Sequence, residues 1–138
     1  MTPEAKATEK VRLCAPSYNA RIFRNNSGGC VDSTGRMIRF GLGNDGTKGN
    51  KNLKFGDYVG FTSLVITPDM VGQTVAVFTN LEIKPDGHMQ RTLTKACQQG
   101  SREHFQWKTC EFVKSFGGFA GFVTNENDVK QVLTWINK

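Results

Sequence analysis

The 138 residues carry 18 Lys+Arg against 12 Asp+Glu, a formal charge of +6, as expected for a chain that meets a polyanion. With 38% hydrophobic and 22% charged residues, the chain can bury a core. That excludes a disordered polypeptide, and the length fits one domain over residues 1–138. No run approaches the roughly 20 apolar residues of a membrane span, and the opening MTPEAKATEK lacks the apolar stretch of a secretion signal. A cytoplasmic protein with no membrane partner is the expectation.

Cys14, Cys30, Cys97 and Cys110 are widely spaced with no Cys-x-x-Cys pair. Zinc ribbons and redox dithiols are thereby removed, and reduced, structural thiols are expected. His88 and His104 have no local partner at ligand spacing and read as surface or loop residues.

Thr2-Pro3-Glu4 supplies a helix N-cap, a proline suited to the first turn and an acid matched to the helix dipole; Pro16 ends the helix they start. Residues 20–24 (ARIFR) read as a short strand and 25–29 (NNSGG) as its turn. Residues 36–40 (RMIRF) combine basic and apolar side chains, predicting a second strand with one face buried and the other charged. Residues 41–56, GLGNDGTKGNKNLKFG, are rich in Gly, Asn and Lys and predict a mobile loop. Gly41 to Gly46 match G-x-G-x-x-G formally, but no helix pattern follows and Thr47-Lys48 are in the wrong order for a Walker A loop. Neither nucleotide motif holds. Lys48, Lys51 and Lys54 either grip phosphates or merely solvate the loop.

Residues 58–66 and 74–84 are β-rich, and the connection between them contains Pro68 and Gly72, so an antiparallel hairpin is predicted. A polar connection, 85–100, leads to Ser101 as N-cap of a helix reaching 115–116 and stopped by Gly117-Gly118. Phe105, Cys110, Val113 and Phe116 are its expected buried stripe. Residues 119–123 read as a strand, and 126–137 as a closing helix on Val129, Val132, Leu133 and Ile136. The order α-β-β-β-β-α-β-α predicts an α/β domain whose mixed central sheet contains the hairpin and is flanked by helices.

Glu82 and Lys84 are two apart on a strand and therefore share a face. In the expected hairpin, Asp57 and Glu82 are equidistant from a turn at Asp69-Met70, which would set them opposite each other at roughly 5 Å. Carboxylates that close need a cation between them, and oxygen donors favour Mg²⁺ or Mn²⁺. A plainer alternative stays open at this point, with Asp57 a turn residue and Glu82/Lys84 an exposed ion pair. Pro68-Asp69 matches the letters PD, but it lies at the closed end of the hairpin, about ten strand residues of roughly 3.3 Å each from Glu82. Asp69 is read as a turn former.

Arg24-Asn25-Asn26, Gly56-Asp57-Tyr58-Val59-Gly60, Glu82-Ile83-Lys84, Gln106 and Gly117-Gly118-Phe119-Ala120-Gly121 resemble, in order and spacing, the motif series of the VRR-NUC family. These are the virus-type replication-repair nucleases of the PD-(D/E)xK superfamily. The resemblance covers nearly the whole chain; it departs at Gly56, where the family often has proline or serine, and in two longer connections, 44–55 and 86–101. It implies a restriction-endonuclease-like fold in which Asp57, Glu82 and the Ile83 carbonyl bind Mg²⁺ and Lys84 holds the attacking water. It further implies that Glu4 binds a metal-held water or second metal, with Glu9 as the competing choice, and that Gln106 orients the scissile phosphate or a water. By pattern alone, Glu4 and Gln106 read equally as a dipole-favoured acid and a solvated helix glutamine. Arg21, Arg24, Arg36, Arg39, Arg102 and Lys108 join the loop lysines as candidate contacts to a DNA backbone.

The resulting expectation is a metal-dependent, structure-specific DNA endonuclease of phage or bacterial type. It would act in DNA repair at branched DNA such as the four-way Holliday junction, as a homodimer. The rival expectations are a monomeric nickase or flap nuclease, and a non-catalytic basic DNA-binding module.

Overall fold

The computed structural model describes residues 1–134 as two compact units that meet in sequence between Leu64 and Val65. In the first unit, helix α1 (Pro3–Cys14) begins where the Thr2 hydroxyl accepts the Ala5 N–H at 3.1 Å. Such a cap satisfies one of the orphan donors of the first turn. The helix gives way to a 3₁₀ turn, Ala15–Tyr18, that absorbs Pro16 and closes on Asn19 in the left-handed region. Strand β1 (Ala20–Arg24) then pairs antiparallel with β4 (Tyr58–Thr62), Arg24 opposite Tyr58 and Ala20 opposite Thr62. Gly60 is required there by close approach: a Cβ would lie 1.8 Å from the Arg21 carbonyl oxygen.

Between them, β2 (Gly28–Val31) and β3 (Met37–Phe40) form an antiparallel hairpin. Asp32 builds its turn, one carboxylate oxygen accepting from the Thr34 N–H, the Thr34 hydroxyl and the Arg36 N–H. These bonds, the Thr34 hydroxyl first, hold the Asp32 carboxyl below the usual carboxylate range. Two expectations are corrected here. Gly28-Gly29, read as turn residues, are strand residues, Gly28 lying under the Phe40 ring. The buried face expected of 36–40 is absent among the described residues, where β3 has β2 alone as a ladder partner and all four of its residues are exposed.

Residues 41–56, expected to be loose, are tied down by polar side chains, their own and that of Asn25. The Asn44 amide donates to the carbonyls of Gly28 and Phe40 at 2.8 and 2.9 Å, and the Leu42 N–H donates to Asn25 Oδ1 at 3.1 Å. Asp45 accepts the Thr47 N–H, and a 3₁₀ turn spans Lys48–Asn50.

The second unit contains β5 (Thr79–Ile83), α2 (Met89–Ala96), α3 (Arg102–Ser115), β6 (Phe119–Val123) and α4 (Glu126–Val132). β5 and β6 are parallel, Thr79 opposite Phe119 and Ile83 opposite Val123, as a helical crossover allows. Cys110 and Val113 of α3 and Ala120 of β6 form the buried cluster, with Phe78 and Phe112 packed against it. Gly121, the next residue along β6 and so on the opposite face, lies under Val132 of α4. β6 is thus covered on both sides, by α3 and α4, while Ile83 on β5 stays exposed. α3 starts at Ser101, whose hydroxyl accepts the His104 N–H at 3.0 Å, and stops before Gly117 at φ 90°.

The predicted hairpin of 58–66 with 74–84 is overturned. Both strands exist, but β4 takes β1 as its antiparallel partner and β5 takes β6 in parallel. In place of one mixed central sheet, the described residues pair as three two-stranded sheets, and the α/β class stands. α2 occupies the expected connection of 85–100; Met89, Thr92, Leu93 and Ala96 recur at helical spacing, a pattern that the reading of 85–100 as a polar connection passed over, and Thr92 and Ala96 are buried. Phe105, expected in the α3 stripe, is 59% exposed, since Cys110 and Val113 set the inward face. Ile136 of the expected closing helix lies outside the described residues. Among the described residues, no helix is long and apolar enough to cross a membrane.

Candidate active site

Alternation along β5 turns Asn80, Glu82 and Lys84 to the side covered by α3, where Gln106 and Cys110 stand one helical turn apart. Lys84 Nζ donates to Gln106 Oε1 at 2.8 Å, and Gln106 Nε2 donates to Glu82 Oε1 at 2.6 Å. The direct Lys84–Glu82 separation is 3.9 Å, the two side chains being 14% and 31% exposed. Gln106 therefore acts as a spacer, fixing an ammonium and a carboxylate in a line while keeping them from collapsing into a tight ion pair. The strand register sets Phe122 beside Glu82, and Lys84 Nζ lies 5.8 Å from the Phe122 ring centroid. An apolar wall on that side lowers the local dielectric. Deeper in, the Asn80 amide approaches Cys110 Sγ at 3.8 Å, and burial pushes the Cys110 thiol up from its ordinary value.

The ladder also decides where the Ile83 carbonyl points. Phe119 N–H bonds the Phe78 carbonyl and Lys84 N–H bonds the Val123 carbonyl. Parallel ladders use alternate residues, so 78, 80, 82 and 84 face β6. The Ile83 carbonyl is directed to the edge of β5 away from β6, one residue on from the Glu82 carboxylate in sequence. These are hard oxygen donors suited to Mg²⁺ or Mn²⁺, ions that keep several waters and need only one or two protein carboxylates. Among the described residues, no three His, Cys, Asp or Glu side chains gather as a metal-binding group.

In the first unit, α1 and the start of β4 line a cleft of about 530 Å³ that contains Glu4, Glu9, Arg24, Asn26 and Asp57. Asn25 positions its floor. Its N–H donates to the Asp57 carbonyl at 2.8 Å, its amide to the Gly56 carbonyl at 3.0 Å, and its Oδ1 takes the Leu42 N–H. Arg24 Nε donates to Asn26 Oδ1 at 2.8 Å. Glu4 and Glu9 both line this cleft, so both stay candidates for the helical glutamate. With the hairpin gone, strand register no longer sets Asp57 opposite Glu82. Asp69 sits in a 3₁₀ turn, Pro68–Met70, where the Thr67 hydroxyl donates to its carboxylate and lowers its pKa. The turn-former reading of Asp69 holds, although the turn closes no hairpin.

Arg39, Lys48, Lys51 and Lys54 line a second cleft of the first unit. Arg21 lies on β1, Arg36 in the β2–β3 turn, and Arg102 and Lys108 on exposed positions of α3. The cysteines are free, Cys14, Cys30 and Cys97 exposed and Cys110 buried. His104 is a helix residue rather than a loop residue, its Nδ1 lying 2.9 Å from the Ala96 carbonyl and joining α3 to α2. Asn25 was named in the sequence only as part of the Arg24-Asn25-Asn26 motif and turn, with no role of its own, and sequence reasoning gave no site role to Asn80 or Phe122. Asn80 was accessible, being two positions before Glu82 on the same strand; Phe122 was not, because its place depends on the parallel register. Comparison with protein-family models, with characterised proteins and with solved structures gives no match to this chain.

Proposed function

We propose that the protein is a metal-dependent endodeoxyribonuclease of the VRR-NUC type, with a PD-(D/E)xK active site built on Glu82, Lys84 and Gln106. The observation that carries this reading is the hydrogen-bonded line Lys84–Gln106–Glu82 on one face of β5. An exposed surface ion pair needs no such spacer, and a glutamine held between the two charges is what distinguishes a positioned acid–lysine pair.

A bound Mg²⁺ would supply charge stabilisation at the phosphoryl oxygens and acidify a coordinated water. Glu82 and the Ile83 carbonyl would hold it. Lys84 retains donors beyond the one given to Gln106, and these orient a water or a phosphate oxygen in line with the leaving group. Gln106 keeps Lys84 and Glu82 apart and in register. Asp57 is a further carboxylate on which metal-dependent cleavage depends, with Glu4 or Glu9 in support. Branched DNA, cut by a homodimer in phage or bacterial DNA repair, is the substrate this reading favours.

The test is cleavage of a panel of duplex, flap and four-way-junction DNA across a Mg²⁺ titration, with molecular mass measured by light scattering. Divalent-dependent products are expected from wild type and Asp69→Asn, and none from Asp57→Asn, whose DNA affinity should persist. Salt-dependent binding without products from any substrate would leave a DNA-binding module in place of an enzyme. Cleavage by a monomer at flaps alone would favour the nickase or flap-nuclease alternative.

A further inference from the structure

The second cleft of the first unit has a chemistry of its own. It encloses about 720 Å³ and is lined by Arg39, Lys48, Lys51 and Lys54 together with the apolar Leu42 and Phe55. No Asp or Glu is among the described residues lining it, in contrast to the acidic cleft beside α1. Lys48 and Lys51 are three apart across a 3₁₀ turn, with the Lys51 N–H bonded to the Lys48 carbonyl at 3.4 Å. In that geometry, side chains at i and i+3 eclipse, so the two ammonium groups project on one side. Asp45, which falls in sequence between the lining residues Asn44 and Gly46, accepts from the Thr47 N–H and the Asn50 amide.

Leu42 and Phe55 are 49% and 50% exposed. The Phe55 ring rests on Gly43, whose φ is 70° and where a Cβ would stand 3.0 Å from the ring. The ring thus has backbone on one side, and Phe55 is half-exposed where it lines the cleft. A solvated lysine loop has no use for such a platform. A duplex presents phosphates and sugars outward and keeps its bases stacked inside, which wastes an apolar floor. An unpaired strand offers both phosphates and bare base faces, the combination that cationic grooves with aromatic rings recognise.

We infer that this cleft binds single-stranded DNA, with Arg39, Lys48, Lys51 and Lys54 on successive phosphates and Phe55 stacked against a base. The choice of DNA rests on the nuclease reading above; the preference for an unpaired strand rests on the cleft. It makes the strand exposed at a branch point or flap, rather than the duplex arms, the part of the substrate read by the first unit.

The experiment measures binding of the full chain to a fluorescein-labelled 12-nucleotide oligothymidylate and to a blunt duplex of equal length. Fluorescence anisotropy is followed over a salt series in EDTA so that no cleavage intervenes. Wild type is expected to bind the single strand more tightly than the duplex. K48A/K51A/K54A should weaken single-strand binding at least tenfold and reduce the salt slope by about 2, three phosphate contacts at roughly 0.7 each. Phe55→Leu should weaken it several-fold with the slope unchanged, and Phe55→Trp, which enlarges the platform, should match or exceed wild type. Equal binding of both probes with an inert Phe55 would overturn the inference, as would full competition by millimolar inorganic phosphate or no binding of the oligonucleotide at all. Failure of the two readings is therefore separable: absent cleavage with these binding effects intact sinks the nuclease and spares the cleft, and active cleavage with unaffected binding does the reverse.

Discussion

Gln106→Met keeps the length of the side chain and removes both hydrogen bonds that separate Lys84 from Glu82, the 2.8 Å bond accepted from Nζ and the 2.6 Å bond donated to Oε1. Hydrogen bonds to charged groups contribute roughly 1.5–3 kcal/mol each, so two would set an upper range of about 3–6 kcal/mol. Glu82 is 31% exposed and can take water in exchange, whereas Lys84, at 14%, can do so far less. With the spacer gone, Lys84 and Glu82, already 3.9 Å apart, can close into a direct pair and recover part of this, so a net destabilisation of about 1 kcal/mol follows, borne mostly by the lysine side. Urea unfolding should show it as a lower midpoint at constant slope. A double-mutant cycle with Lys84→Met should return a coupling of about 1 kcal/mol, above the few tenths expected of independent sites. Single-turnover cleavage at saturating Mg²⁺ should fall roughly 10–100-fold, because a lysine no longer held in line loses positioning rather than charge. Unchanged stability together with additivity in the cycle would refute the spacer role of Gln106.

Gly60→Ala should cost several kcal/mol or prevent folding of the first unit, since its Cβ would stand 1.8 Å from the Arg21 carbonyl oxygen; a circular-dichroism melt within a degree of wild type would contradict the β1–β4 register. A thiol-reactive chromogenic reagent should modify Cys14, Cys30 and Cys97 in the native protein and Cys110 only after denaturation, because burial both shields that thiol and disfavours its thiolate. The carboxyls of Asp32, Asp45, Asp69 and Asp128 are all held below their ordinary value by hydrogen bonds. Their contribution is complete above the unfolded Asp value of about 4 and is lost as pH falls through the lower folded values. Stability should therefore decline as pH falls below about 4, and Asp32→Ala should flatten that dependence; a decline centred near neutrality would place its cause elsewhere.

Local chemistry was legible wherever a few adjacent residues carry the signal. Thr2-Pro3-Glu4 and Ser101 mark helix starts that the structure places at the same residues, and 20–24 and 119–123 are strands with the bounds the sequence implies. The shared face of Glu82 and Lys84 needed only the two-residue period of a strand. Strand pairing was not legible, because alternation identifies a strand without naming its partner. The turn chemistry at 67–72 pointed to a hairpin, whereas β5 found β6 across two intervening helices. β2 was hidden by two glycines, of which Gly28 admits the Phe40 ring, whereas the helical spacing of Met89, Thr92, Leu93 and Ala96 in α2 was legible and was passed over. Gln106 was reached through family resemblance, since a lone glutamine on a polar helix carries no pattern of its own; its contacts with both charges emerge only from the packing of α3 on β5.

The most direct test of the proposed activity is the single-turnover cleavage of a four-way-junction DNA by wild type and Glu82→Gln at saturating Mg²⁺, with junction binding measured in parallel in Ca²⁺. Products that require the divalent ion, a rate at least about 100-fold lower in Glu82→Gln and equal binding by both proteins are predicted. Cleavage by Glu82→Gln at the wild-type rate would contradict the account, as would a wild-type protein that binds the junction and cuts nothing.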